Sequence, residues 1–237
     1  MDTLASLMVP LYGRHMPSTV PRPVRISAGS NRVDVVAKRN TEFSLDGSAE
    51  VTDADGRITV GDVRSRLAVN VPVGTDVVIG TTSGRVQVKG PVGHLAVVTE
   101  SGKVEVESAA AVDIRTASSR VEVGEVAGVC RIRSTSGKVE VESCGDADVA
   151  GRSGRIELQR VDGEVEAHSV SGRIELSMSS ANDIHAETVT GKIEVSLPKG
   201  TVPFRPSDSE HGALRPPGAD CTVFARSTTG KVVVTAR

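Results

Sequence analysis

A short phrase recurs along this chain, and its spacing limits the fold more than any other feature. SGRVQV at 83–88 returns as SGKVEV at 101–106, SSRVEV at 118–123 and SGKVEV at 136–141. It continues as SGRIEL at 153–158 and 171–176, TGKIEV at 190–195 and TGKVVV at 229–234. The glycine, replaced once by serine, falls at 84, 102, 119, 137, 154, 172, 191 and 230, giving intervals of 18, 17, 18, 17, 18, 19 and 39. Self-similarity at a near-constant period is the signature of a stacked repeat architecture.

Within each unit apolar and polar residues alternate with period 2, so the units are strands. Before the glycine, the odd offsets carry small or apolar groups: Leu95, Val97, Thr99 and Ser101, or Ile184, Ala186, Thr188 and Thr190. After it, the even offsets do: Val104 and Val106, Ile156 and Leu158, Ile193 and Val195. A one-residue shift of parity turns every side chain to the other face unless the backbone bends, and glycine permits that bend. Each unit therefore reads as strand, corner, strand and a short connector, such as 89–93 or 142–146, that absorbs the length changes.

A hairpin meander is the main rival at this length. Stacked coils place each position over its equivalent about 4.8 Å away, and this favours identity within a column. The residue after the corner is basic in every unit: Arg85, Lys103, Arg120, Lys138, Arg155, Arg173, Lys192 and Lys231. Two residues later stand Gln87, then Glu105, Glu122, Glu140, Glu157, Glu175 and Glu194, and finally Val233. The expected fold is all-β: a single-chain β-solenoid of about eight parallel coils.

The expected organisation is a tail over 1–23, a β-rich N-terminal cap over 24–76, coils over 77–197, a proline-rich loop over 198–221 and a final coil over 222–237. Residues 24–76 depart from the period, and solenoids need atypical end units. The interval of 39 holds Pro198, Pro203, Pro206, Pro216 and Pro217, which reads as an inserted loop.

The TxSGKVEVE phrase, together with LAVNVPVGT at 67–75, resembles a bacterial adhesin-like family of β-strand-repeat domains of unknown function, over roughly residues 24–237. The resemblance implies a β-helical domain, in relatives often near an envelope-stress or membrane-associated context. In plan the chain is also similar to bactofilins, small β-helical proteins that polymerise.

Charge and composition narrow the function classes. The 28 basic and 30 acidic residues nearly cancel, so no sustained field exists for nucleic acid. Aromatic residues make up 2%, too few for recognition by ring stacking. No apolar run is long enough to span a bilayer, and no small-molecule substrate is evident. Cys130, Cys144 and Cys221 are odd in number and show no CxxC spacing, which reads as free thiols in a reducing, cytoplasmic compartment. Residues 1–23 lack the basic-then-apolar order of a signal peptide.

The basic and acidic columns share one face and read as a self-neutralised, solvated surface. A sharper candidate lies on the strand before the corner. Glu166 and His168 in one unit occupy the offsets of His185 and Glu187 in the next, with Asp148 one unit earlier. Such a checkerboard offers donors suited to zinc or a similar divalent ion; no other cofactor is expected. The inward Ser and Thr columns read as hydroxyl ladders rather than nucleophiles. In the last unit Phe224 and Val233 stand where other units are largely polar, and Val232, Val233 and Val234 lie near an edge that invites pairing, to be covered by the proline-rich loop 198–221 first or else by another subunit. The expected function is a non-enzymatic scaffold or protein-interaction module that self-associates through that edge. The alternatives are a metal- or ligand-binding protein and, last, a carbohydrate-active enzyme.

Overall fold

Parallel, in-register pairing joins equivalent residues of successive units. Gly154, Gly172, Gly191 and Gly230 stack in one column, Arg155, Arg173, Lys192 and Lys231 in the next, and Ile156, Ile174, Ile193 and Val232 in a third. The same holds earlier, where Val121, Val139 and Ile156 align and Cys130 lies between Val112 and Ala147. The chain is an all-β solenoid, with the repeated units as coils rather than hairpins. This computed structural model describes residues 15–16, 21–206 and 215–236. Most of the expected tail, residues 207–214 of the proline-rich loop and Arg237 therefore lie outside the described residues.

The corner explains the glycine column. Gly84, Gly102, Gly137, Gly154, Gly172, Gly191 and Gly230 have φ between 118° and 158°, which side chains disfavour. Space is equally restrictive. A Cβ at Gly102 would meet the carbonyl oxygen of Gly84, and the same conflict recurs from Gly154 to Gly137, Gly172 to Gly154 and Gly191 to Gly172. Ser119 fits because its backbone stays at negative φ. Its hydroxyl accepts a hydrogen bond from Thr116 Oγ1 at 2.6 Å.

Three inward columns fill the interior. Ile114, Ile132 and Val149 come from the strand before the corner, and Val121, Val139 and Ile156 from the strand after it; all are buried. Val126, Cys144, Val161, Met178 and Leu197 supply the third column from the connectors. There a register shift between Leu158 and Val161 sets Met178 against Val161, so the connector absorbs the change of length. The inward Thr81, Thr99 and Ser134 hydroxyls donate to the carbonyls of Gly29, Ser101 and Ser136, which satisfies them at the bend.

Residues 24–76 join the stack although they lose the period. Val24–Ser27 pairs in parallel with Val77–Thr81, and Val33–Lys38 with the start of Arg85–Val126, so 24–38 forms a coil against the first repeat. Arg57–Gly61 and Leu67–Pro72 pair in parallel with the other side of that coil. Beyond them Phe43–Asp46 and Glu50–Ala54 add antiparallel strands at this end. The chain thus leaves the stack at 38, builds outward, and returns at 77. Stacking order and sequence order differ, which hides the period.

Among the described residues, one short strand pairs at the start of the opposite end. Pro203–Phe204 of the proline-rich loop pairs with Cys221–Thr222. Among the described residues, no strand pairs with the outer edge of 223–236. Accordingly, Val232 and Val234 are half-buried, where the stacked Ile193 and Val195 are fully buried.

The corner geometry makes a mutational contrast. Gly172→Ala should destabilise the protein by about 2–4 kcal/mol, because strained φ and a backbone clash combine. Ser119→Ala should cost about 1 kcal/mol, the usual worth of one hydrogen bond. Urea denaturation of both variants measures the difference.

Candidate functional site

The +1 and +3 columns form a continuous ion-pair ladder. Lys103 contacts Glu105 of its own coil at 2.6 Å and Glu122 of the next at 2.8 Å. Arg120 contacts Glu122 at 2.6 Å and Glu140 at 3.2 Å, and Arg173 contacts Glu175 at 2.8 Å and Glu194 at 3.3 Å. Every cation between two acids lowers the like-charge repulsion along both columns. The Lys103 ammonium beside Glu105, helped by Arg85, holds that carboxyl below its usual range, and Lys138 and Lys192 do the same for Glu140 and Glu194.

The ladder runs further than the repeated phrase indicates. Arg32 and Asp34 stand level with Arg85 and Gln87, and Arg66 extends the cations into the outermost coil. Arg32 Nε lies 2.8 Å from Asp34 and Arg66 2.6 Å. Partial burial pushes the Asp34 carboxyl up, but hydrogen bonds from both guanidiniums outweigh it and leave it lowered. Sequence reading missed these residues. The signal was SNRVDV at 30–35, with Asn31 in the glycine's place and Gly84 stacked over its carbonyl.

On the strand before the corner, the outward positions vary from coil to coil. Asp148 accepts from Arg133 at 2.6 Å and Arg131 at 3.3 Å, and Arg133 chiefly lowers its pKa. Above it the structure brings the four predicted residues together. Glu166 pairs in register with His185, and His168 with Glu187. His168 Nε2 lies 3.1 Å from Glu166, and its Nδ1 3.7 Å from Glu187; His185 Nε2 lies 3.6 Å from the other Glu187 oxygen. The imidazoles stand 5.4 Å apart between centroids. Among the described residues, His168, His185 and Glu187 have ligand atoms all within 4.8 Å of one another.

The edge residues separate into two kinds. Phe224, expected as an exposed outward group, is buried and stacks on His185 at 4.8 Å between ring centroids. It supports the histidine rather than facing a partner. Val232, Val233 and Val234 remain half-exposed at the open end. The cysteines are buried and free; burial raises the Cys130 and Cys221 thiols and takes Cys144 to about 12, so none is an ordinary nucleophile.

Lowered carboxyl values make stability acid-sensitive in a definite direction. The folded values of Asp34, Glu105, Glu140 and Asp148 lie below their unfolded ones. Their stabilisation is present above the unfolded values, about 4, and is lost as pH falls through the folded ones. Urea midpoints should therefore stay level from neutral pH to about 5 and fall below about 4. Asp148→Asn should weaken the fold at pH 7 by about 0.5–1 kcal/mol and flatten part of that acid decline.

No curated protein matches the chain. Among solved structures, a crystal structure from Parabacteroides merdae is 12% identical, covers 95% of both chains and has a TM-score of 0.56. One from Bacteroides fragilis is 15% identical, covers 95% of this chain and 96% of that one, and scores 0.47. One from Parabacteroides distasonis is 10% identical with the same coverage and scores 0.44. Each of the three is described as a "putative adhesin". At these identities the first supports the fold alone. No helix among the described residues is long and apolar enough to cross a membrane. The Toastrack DUF4097 family matches residues 24–205, and the chain belongs to that family.

Proposed function

We propose that the protein is a non-enzymatic, rigid scaffold that associates with a second copy of itself through its C-terminal end. The observation that carries this reading is the difference between the two ends. The N-terminal end carries the additional antiparallel strands Phe43–Asp46 and Glu50–Ala54, which depart from the coil repeat. At the other end the valine columns stop at half-exposed Val232 and Val234.

Backbone direction favours pairing there. Lys103 and Arg155 donate their amides to Gly84 and Gly137 of the preceding coil, at 3.1 and 3.3 Å. Alternation along a parallel strand turns the amides of the second and fourth residues after the corner toward the following coil. In the last coil these belong to Val232 and Val234, which have no following coil in the described chain. A second copy presents the same unpaired groups and the same apolar columns. Because both copies use the same end, the contact is isologous and stops at a dimer.

Other features support a binding role over catalysis. The inward hydroxyls of Thr81, Thr99, Thr116 and Ser134 bond to carbonyls or to Ser119, with no imidazole among those partners. Three buried free thiols favour a reducing, cytoplasmic compartment.

Sedimentation equilibrium across a concentration series tests the reading. The expected outcome is a monomer–dimer equilibrium that Val234→Pro, which removes one outward amide, weakens at least tenfold. A wild type that stays monomeric, or a dimer indifferent to Val234→Pro, would sink the proposed edge.

A further inference from the structure

The strand face before the corner differs in kind from the charge ladder. The ladder repeats the same pair in coil after coil, as a structural surface should. The outward positions at 148, 150, 166, 168, 185, 187, 224 and 226 do not repeat. They bring His168 and His185 together in adjacent coils, crossed with two carboxylates. We infer that His168, His185 and Glu187, with Glu166 beside them, form a binding site for a divalent transition-metal ion of the zinc class.

The geometry fits such an ion after small side-chain motions. Tetrahedral zinc with bonds near 2.0–2.1 Å places its donors about 3.3 Å apart. Glu187 already lies 3.7 Å from His168 Nδ1 and 3.6 Å from His185 Nε2, one carboxylate oxygen toward each ring. Closing from the present 4.8 Å limit needs only rotation about side-chain torsions, since the backbone register is fixed by parallel pairing. The second nitrogen of His168 faces Glu166 at 3.1 Å, the carboxylate–histidine arrangement that orients a metal-bound imidazole.

The surroundings hold the donors in place. Phe224 stacks on His185 and limits its rotation, while Ala150, in register with His168, leaves the opposite side open. His168, His185 and Glu187 are each about one-third exposed, so an ion reaches them from solvent while their stems remain packed. Three protein donors leave a coordination position for water or for a group from a partner, as in open zinc sites. Arg226 stands in register with Glu187 in the following coil.

Isothermal titration of the untagged full-length protein with zinc chloride, in a buffer that does not chelate, provides the test. One ion should bind per chain. His185→Ala and Glu187→Gln should each weaken binding more than about tenfold, the scale of losing a group that holds or orients the ion. His94→Ala, at an exposed histidine several coils away, should leave it unchanged. Circular dichroism of each variant should match the wild type, because all of these side chains are at the surface. Absence of wild-type binding would overturn the site. So would full affinity in His185→Ala or Glu187→Gln, or an equal loss in His94→Ala.

Discussion

Each corner carbonyl occupies the space that a Cβ of the next corner would need. Gly84, Gly102, Gly137, Gly154, Gly172, Gly191 and Gly230 are therefore required twice over, by a positive φ and by backbone contact with a neighbouring coil. That contact fixes the register. With corners nested, every residue on either side falls over its equivalent, and hydrophobic columns, hydroxyls and charges align without further instruction. Displacing one coil by a single residue would turn its valines outward and bring a side chain against a carbonyl.

Exact stacking of equivalents creates an electrostatic difficulty, since identical residues lie at the spacing of adjacent strands. A column of arginines and lysines alone would repel. The chain resolves this by placing an acidic column two residues away, so that Lys103, Arg120 and Arg173 each reach two carboxylates in successive coils. The exposed surface remains charged and hydrated, while neighbouring coils are tied by alternating contacts. Variation is confined to the other outward face, where Asp148 serves two arginines and the His/Glu patch follows directly above.

The His/Glu patch was legible because only period and offset were needed to place it. Once 166 and 185 share a column, 168 and 187 do too, and the crossed arrangement follows. The support from Phe224 was not legible. Its offset marked it as outward, yet burial depends on the next layer of chain and on the flat face of His185, neither of which alternation encodes. The same limit applied at the N-terminal end. Arg32 and Asp34 carry the repeated charge pattern, but Asn31 replaces the glycine that marks the phrase elsewhere.

The sequence alone determined the coil, its corner, its inward and outward faces and the alignment of its columns, because a period-2 strand interrupted at a constant interval has one economical way to bury its valines. Tertiary structure decided the order of the coils. Leu67–Pro72 stacks outside Val33–Lys38, although it follows that strand in the chain and precedes the first repeat. Pairing energy depends on which edge is available in space, and a long excursion costs little more entropy than a short one. A local pattern therefore specifies how each strand pairs, while the assembled stack specifies with whom.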